Sequence, residues 1–286
     1  MHGHGQEYDV TNEQHRHAAV AEVHGARLSY DIVGDGPPVV LIHAGIADRR
    51  MWDDQVAAFA ARYTVIRYDM RGFGDSEPPP GPYAHHRDLH GLLQHLGVEA
   101  VVLVGASFGG GVAVEFTLAY PAMVRALVLV DAFIPGHEPS ENLQRFGAAE
   151  EQALERGDIV SAVDLNVRTW VDGSRRTPDQ GDGAVRERVR VMQRRAFALM
   201  RPDATEEEPQ PPFAIARLAE IHAPTLVLVG DQDMSDFLVM ADAGERRVRD
   251  ARKVVIAGAA HVPSMEHPAQ FNQFVLAFLA DGKQRQ

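Results

Sequence analysis

Val101-Val102-Leu103-Val104-Gly105-Ala106-Ser107-Phe108-Gly109-Gly110-Gly111-Val112-Ala113 is the stretch that decides the fold. The aliphatic run before Gly105 reads as a strand buried on both faces, and residues 109–119 read as a helix ended by Tyr120-Pro121. Between them stands a G-x-S-x-G box, Gly105 to Gly109. At a strand-to-helix turn such a box forms a nucleophile elbow: glycines remove the clashes of a strained turn, and the serine hydroxyl rises above the end of the sheet. Small Ala106 suits that crowding. A Gly-rich structural turn can carry the same five residues, so it is the strand before and the helix after that point to Ser107 as a nucleophile.

Strands and helices alternate on either side of the box. Residues 20–23 and 27–33, joined by His24-Gly25-Ala26, read as a hairpin. Residues 39–43, 64–69, 126–131, 225–230 and 253–256 read as further strands, and 51–62, 87–96, 237–248 and 268–280 as helices. Continuous Val/Leu runs, rather than alternating ones, imply an α/β fold with a mostly parallel central sheet and helices on both faces. The rhythm changes between Phe133 and Ala214, where no strand is evident and 141–156, 159–170 and 184–200 carry helical periods. The expected organisation is a flexible N-terminal tail over 1–18, an α/β core in two pieces, 19–132 and 215–286, and a helical cap inserted over 133–214. The return to the core is placed at the Glu- and Pro-rich run from Glu206 to Pro212.

Composition narrows the chemistry. The 286 residues suffice for one large α/β domain with an insertion, and 45% hydrophobic with 24% charged residues is an ordinary globular balance. The absence of cysteine excludes disulfides, thiolate catalysis and cysteine-ligated clusters. A formal charge of −12 opposes binding to nucleic acid or an anionic membrane, which leaves a small molecule as the expected partner. No apolar run approaches the roughly 20 residues of a membrane span. The polar start also lacks the basic-then-apolar order of a secretory signal, so a cytoplasmic protein is expected. His2, His4, His15 and His17 have no scaffold around them to fix a metal geometry.

A serine hydroxyl is a weak nucleophile until an imidazole takes its proton. His261, in Gly258-Ala259-Ala260-His261-Val262-Pro263 directly after the last strand, sits where a loop at the carboxyl edge of the sheet reaches Ser107. His85, His86, His90 and His95 lack both an H-E-x-x-H pattern and a nearby third ligand, and are expected to face solvent or to start a helix. His267, before Pro268, also reads as a helix-starting residue. The imidazole needs a carboxylate to fix its tautomer, and Gly230-Asp231-Gln232-Asp233 offers two after the strand at 225–230. The N–H of Phe108, which follows the nucleophile, is an expected donor to the oxyanion.

With its motifs in this order, the chain from about residue 21 to 279 resembles the α/β-hydrolase superfamily. The resemblance implies that Asp233 matches the acid of the G-x-x-D pattern after the penultimate strand, leaving Asp231 to shape the turn. Some members carry the acid one strand earlier, where Asp131 stands. His43-Ala44-Gly45-Ile46 resembles the H-G loop of the superfamily, which implies Gly45 as the second oxyanion donor, with Ile46 as the other candidate. The run from Asp69 to Ser76 resembles the D-x-R-G-x-G-x-S segment that shapes the loop beside the site.

The implied activity is a carboxylesterase-like hydrolysis of small esters by Ser107, Asp233 and His261 through an acyl-enzyme, with no cofactor and no metal. A lactonase or carbon–carbon bond hydrolase would use the same residues, and a non-catalytic small-ligand receptor could retain the fold. Serine at the elbow argues against dehalogenase and epoxide hydrolase chemistry, which needs a carboxylate nucleophile. Short-chain esters are the expected substrates, and Phe133 and Trp170 are expected to roof the pocket. For a substrate bearing a carboxylate, Arg145, Arg168, Arg175, Arg176, Arg194 and Arg195 are the cap cations available, most of them expected to be solvated.

Overall fold

A computed structural model describes residues 17–78, 81–200 and 211–283. Eight strands form one sheet: β1 His17–Val23, β2 Ala26–Val33, β3 Pro38–Ile42, β4 Thr64–Tyr68, β5 Val101–Ala106, β6 Val124–Val130, β7 Thr225–Gly230 and β8 Ala251–Ile256. Their order is β1-β2-β4-β3-β5-β6-β7-β8. The opening hairpin pairs antiparallel with itself and with β4, and every later pairing is parallel. β5 lies near the middle, and all six of its residues are buried, as are those of β7. That is the burial pattern anticipated from uninterrupted aliphatic runs covered on both faces.

The helices of the core are α1 Asp53–Ala60, α2 His85–His95, α3 Phe108–Ala119, α8 Ser235–Arg247, the single turn α9 Pro263–Glu266 and α10 Pro268–Lys283. Between β6 and β7 come α4 Glu141–Glu155, α5 Ile159–Asn166, α6 Gly183–Leu199 and the short α7 Ala214–Arg217, with no strand among the described residues. α4 packs on α5, and α5 on α6. Caps explain where two of them begin: Ser140 Oγ accepts the Leu143 N–H, and Asp182 accepts the N–H groups of Ala184 and Val185. α5 does not run on to Trp170 as a single α-helix. It widens into a π-helical turn, Val167–Asp172, and stops at Gly173, whose φ is +78°.

His17 opens β1, so the first strand begins inside the stretch expected to be tail. Residues 1–16, with His2, His4 and His15, and residues 206–210 of the expected return to the core lie outside the described residues. The parallel strands bring the ends of β3, β4, β5, β6, β7 and β8 to one edge, and the loops leaving that edge carry the polar residues singled out above. A hollow of about 670 Å³ opens at the opposite edge, beside Pro38, Val101, Ala126 and Thr225. It lies at the amino ends of the strands, and neither serine nor histidine is among its described lining residues.

Candidate active site

Ser107 bridges β5 and α3 with φ 49° and ψ −117°, a left-handed backbone rare for a residue with a Cβ. Such a conformation costs about 1–3 kcal/mol and persists when its surroundings over-determine it. They do so here: the Ser107 N–H donates to Val130 O at 2.9 Å, and its carbonyl accepts from Gly110, Gly111 and Phe133 at 2.9, 3.2 and 3.0 Å. A Cβ at Gly109 would stand 2.4 Å from the His43 carbonyl oxygen, so the helix can approach β3 this closely only with glycine there.

His261 reaches the elbow from the loop after β8. Ser107 Oγ–H donates to His261 Nε2 at 2.7 Å, and His261 Nδ1–H donates to Asp233 Oδ2 at 2.7 Å. His261 and Asp233 are buried, at 2% and 1% exposure. The His261 N–H donates to the Trp170 carbonyl at 3.1 Å, and its ring packs against Trp170 and Phe237, with centroids 4.6 and 4.3 Å away. Burial lowers the imidazole pKa to about 4, against the raising influence of Asp131 and Glu266. At neutral pH the ring is therefore uncharged and free to accept the serine proton. Glu266 holds the loop by accepting the Ala260 N–H at 2.9 Å, and is itself paired with Arg176 at 2.5 Å.

Of the three candidate acids, the structure brings two to the imidazole. Asp233 accepts from the Met234 N–H at 2.7 Å as well as from His261. Asp131, wholly buried and with φ 41°, accepts the Gly230 N–H at 2.9 Å through Oδ1. An oxygen of each carboxyl and a ring nitrogen of His261 lie within 4.8 Å of one another. Burial raises both acids, Asp233 to about 7, and the neighbouring Asp233 charge pushes Asp131 further up. Asp131 Oδ2 has no donor, so it is satisfied when it carries a proton and donates toward Asp233. Asp233, the better supplied with donors, is the first of the pair to give up its proton. Asp231 Oδ1 accepts the Gly258 N–H at 2.7 Å, which ties two loops together away from the imidazole.

The same three side chains resemble a metal-ligand set. The 2.7 Å between His261 Nδ1 and Asp233 Oδ2 is a hydrogen-bond contact, whereas two ligands of a tetrahedral ion at about 2.1 Å stand roughly 3.4 Å apart. An ion would have to open that contact.

Gly45 and Phe108 face the space beside Ser107. Phe108 opens α3, so its N–H has no acceptor within the helix, and the Gly45 N–H donates to none of the described residues. The loop carrying Gly45 is fixed by His43, a role that the motif by itself does not reveal. Its Nδ1–H donates to Ala44 O at 2.8 Å, and its Nε2 accepts the Met70 N–H at 2.9 Å. The adjoining 69–76 segment folds around Asp69, which accepts the N–H groups of Arg49 and Asp75, both at 2.8 Å.

His85 and His86 start α2, but they do not face solvent: they are 3% and 4% exposed, with His85 edge-on to Tyr83 and Phe108. The helix docks on the face that carries them, a choice that its sequence period leaves open. Burial lowers the His85 pKa to about 3.

A cavity of about 460 Å³ stands over Ser107 and His261. Gly45, Ile46, Phe73 and Phe108 line it, together with residues of α4, α5, α6 and the π-helical turn, Trp170 among them. Phe133, expected to roof the pocket, is not among the lining residues: its N–H is bound to Ser107 O, which holds it against the elbow. None of the six arginines named for a carboxylate substrate lines the cavity either. Arg176 pairs with buried Glu266, and half-exposed Arg195 pairs with Asp75.

Residues 37–268 match the α/β hydrolase fold family, and the chain belongs to it. A 2-hydroxy-6-oxononadienedioate/2-hydroxy-6-oxononatrienedioate hydrolase of Burkholderia vietnamiensis is 32% identical over 268 residues, covering 88% of this chain and 91% of that protein. An uncharacterized protein of Mycobacterium tuberculosis is 42% identical over 114 residues, a match that spans 38% of this chain and a third of the relative's length. Among solved structures, a thermophilic esterase from Thermogutta terrifontis superposes with a TM-score of 0.75 at 28% identity, covering 90% of this chain and 94% of the esterase. In keeping with the fold, no helix among the described residues is long and apolar enough to cross a membrane.

Proposed function

We propose that the protein is a serine hydrolase cleaving small carboxylic esters through an acyl-enzyme on Ser107. The observation that carries the reading is the hydrogen-bonded chain Ser107 Oγ, His261, Asp233, with both ring nitrogens engaged at 2.7 Å. In this reading Ser107 Oγ attacks the ester carbonyl as its proton passes to His261 Nε2, while Asp233 stabilises the imidazolium. The Gly45 and Phe108 N–H groups receive the developing oxyanion, each worth about 3 kcal/mol in the transition state. His261 returns the proton to the departing alcohol, and a water that it then deprotonates releases the acid. No step draws on a cofactor or a metal. The helices between β6 and β7 act as a cap that shapes the acyl and alcohol pockets.

A panel of p-nitrophenyl esters of increasing chain length, run beside lactones and vinylogous diketones, tests this. Ester turnover lost at least about 10⁴-fold in Ser107→Ala supports the reading. Turnover that survives the substitution contradicts it. The Burkholderia relative favours a second reading, carbon–carbon bond hydrolysis by the same residues, for which the diketones are the readout.

A further inference from the structure

The part of the cavity lining supplied by α4, α5 and α6 is mostly apolar, and among the described residues three polar side chains interrupt it: Glu150 of α4, Asn166 of α5 and Gln193 of α6. Asn166, 1% exposed, spends its amide N–H groups inside the protein, on a Glu150 carboxylate oxygen at 2.5 Å and on Ala162 O at 2.9 Å. It thereby holds the Glu150 carboxylate at the cavity wall. Gln193 is 4% exposed, and its buried Oε1 has no hydrogen-bond partner. A buried amide oxygen left unpaired is a cost, and a rotation of the Gln193 amide that turns this oxygen to the cavity lets a bound donor remove it. The cationic side chain among the described lining residues, Arg71, is spent on Asp88, which it grips through two bonds of 2.7 and 2.6 Å. A substrate carboxylate at this wall would thus face Glu150 with no unpaired cation among the described lining residues to offset the repulsion.

We propose that Glu150 and Gln193 form a polar subsite that selects substrates carrying an uncharged hydrogen-bond donor, a hydroxyl or an amide N–H, on the part of the molecule remote from the scissile bond. This rests on the proposed chemistry at Ser107 for the orientation of the substrate. It departs from a plain preference for short alkyl esters, and it disfavours dicarboxylate substrates.

Three methyl esters of matched length test it: methyl ω-hydroxyhexanoate, methyl heptanoate, in which a methyl replaces the hydroxyl, and monomethyl adipate, which places a carboxylate there. Binding to the Ser107→Ala protein is measured by calorimetry, and kcat/KM is measured on the unaltered enzyme. The hydroxy ester is expected to bind roughly 10- to 100-fold more tightly than the heptanoate, with the adipate weakest. Glu150→Gln, which keeps the size of the side chain and its bond to Asn166, is expected to bring the adipate up toward the heptanoate. Gln193→Met is expected to cut the hydroxy-to-alkyl ratio at least about fivefold, so the two variants report independently if one of them fails to fold. Equal binding of the hydroxy and alkyl esters overturns the subsite even if all three are hydrolysed. Selective binding without hydrolysis by the unaltered enzyme upholds the subsite and overturns the esterase reading instead.

Discussion

Asp131 and Asp233 compete for one proton, and which of them holds it decides whether His261 has an ionised partner. Asp233 accepts from Met234 and His261, whereas Asp131 has the Gly230 N–H on one oxygen and no donor to the other, which is left to donate toward Asp233, so the proton belongs on Asp131. Asp233→Asn is therefore expected to lower kcat roughly 10³- to 10⁴-fold, with Asp231→Asn much milder. Asp131→Asn supplies an N–H donor in place of the acid and should cost activity less than about tenfold. Asp131→Ala removes the donor and should shift the acid limb of the kcat/KM profile to higher pH. Stability gives a second readout. A carboxyl whose folded pKa lies above its ordinary value is protonated on folding, so its contribution is full below pH 3.8 and is lost as pH rises through the folded value. Asp131→Asn escapes that loss, and its melting temperature should exceed that of the parent by more at pH 8 than at pH 4. Equal differences at the two pH values would show that Asp131 carries no proton.

At the scale of elements, the loop after β8 depends on the helices before β7. Arg176, just past the π-helical turn, donates to the carbonyls of Val171, Asp172 and Gly258 and to Glu266, which in turn fixes the Ala260 N–H next to His261. Arg176→Ala is expected to lower kcat about tenfold with a smaller change in KM, and Arg176→Lys should not restore it, because one ammonium cannot span those acceptors. A drop in melting temperature with kcat unchanged would reduce Arg176 to a structural strut. This dependence is hidden in the sequence. The elbow could be read because strand, box and helix are contiguous, and His261 and Asp233 because each follows directly on a strand. Helical periodicity located α4, α5 and α6, but it cannot show a π-helical turn, which inserts a residue without changing composition. For the same reason Trp170 was legible as a pocket residue, while its carbonyl bond to His261 was not. The burial of His85 and His86, the neutral acid at Asp131 and the polar wall of Glu150, Asn166 and Gln193 all depend on which faces meet across long sequence separations.

For the molecule as a whole, the parallel sheet gathers the ends of six strands at one edge, and the cavity lies over that edge. The chain carries a formal charge of −12, so its long-range field disfavours anions and is indifferent to neutral molecules. Turnover of a neutral ester should accordingly change less than about twofold between low and high salt, whereas any residual turnover of an anionic ester should rise as screening sets in. A neutral ester that slows steeply with salt would mean that the surface field guides it in. The central claim, that Ser107 is a nucleophile activated by His261, is tested most directly by exposing the protein to a fluorophosphonate and locating the adduct by mass spectrometry. The account predicts one stoichiometric adduct on Ser107, absent from Ser107→Ala and formed far more slowly in His261→Ala. An unlabelled Ser107 in the folded protein, together with no ester turnover, would contradict it and leave a ligand-binding protein built on a hydrolase fold.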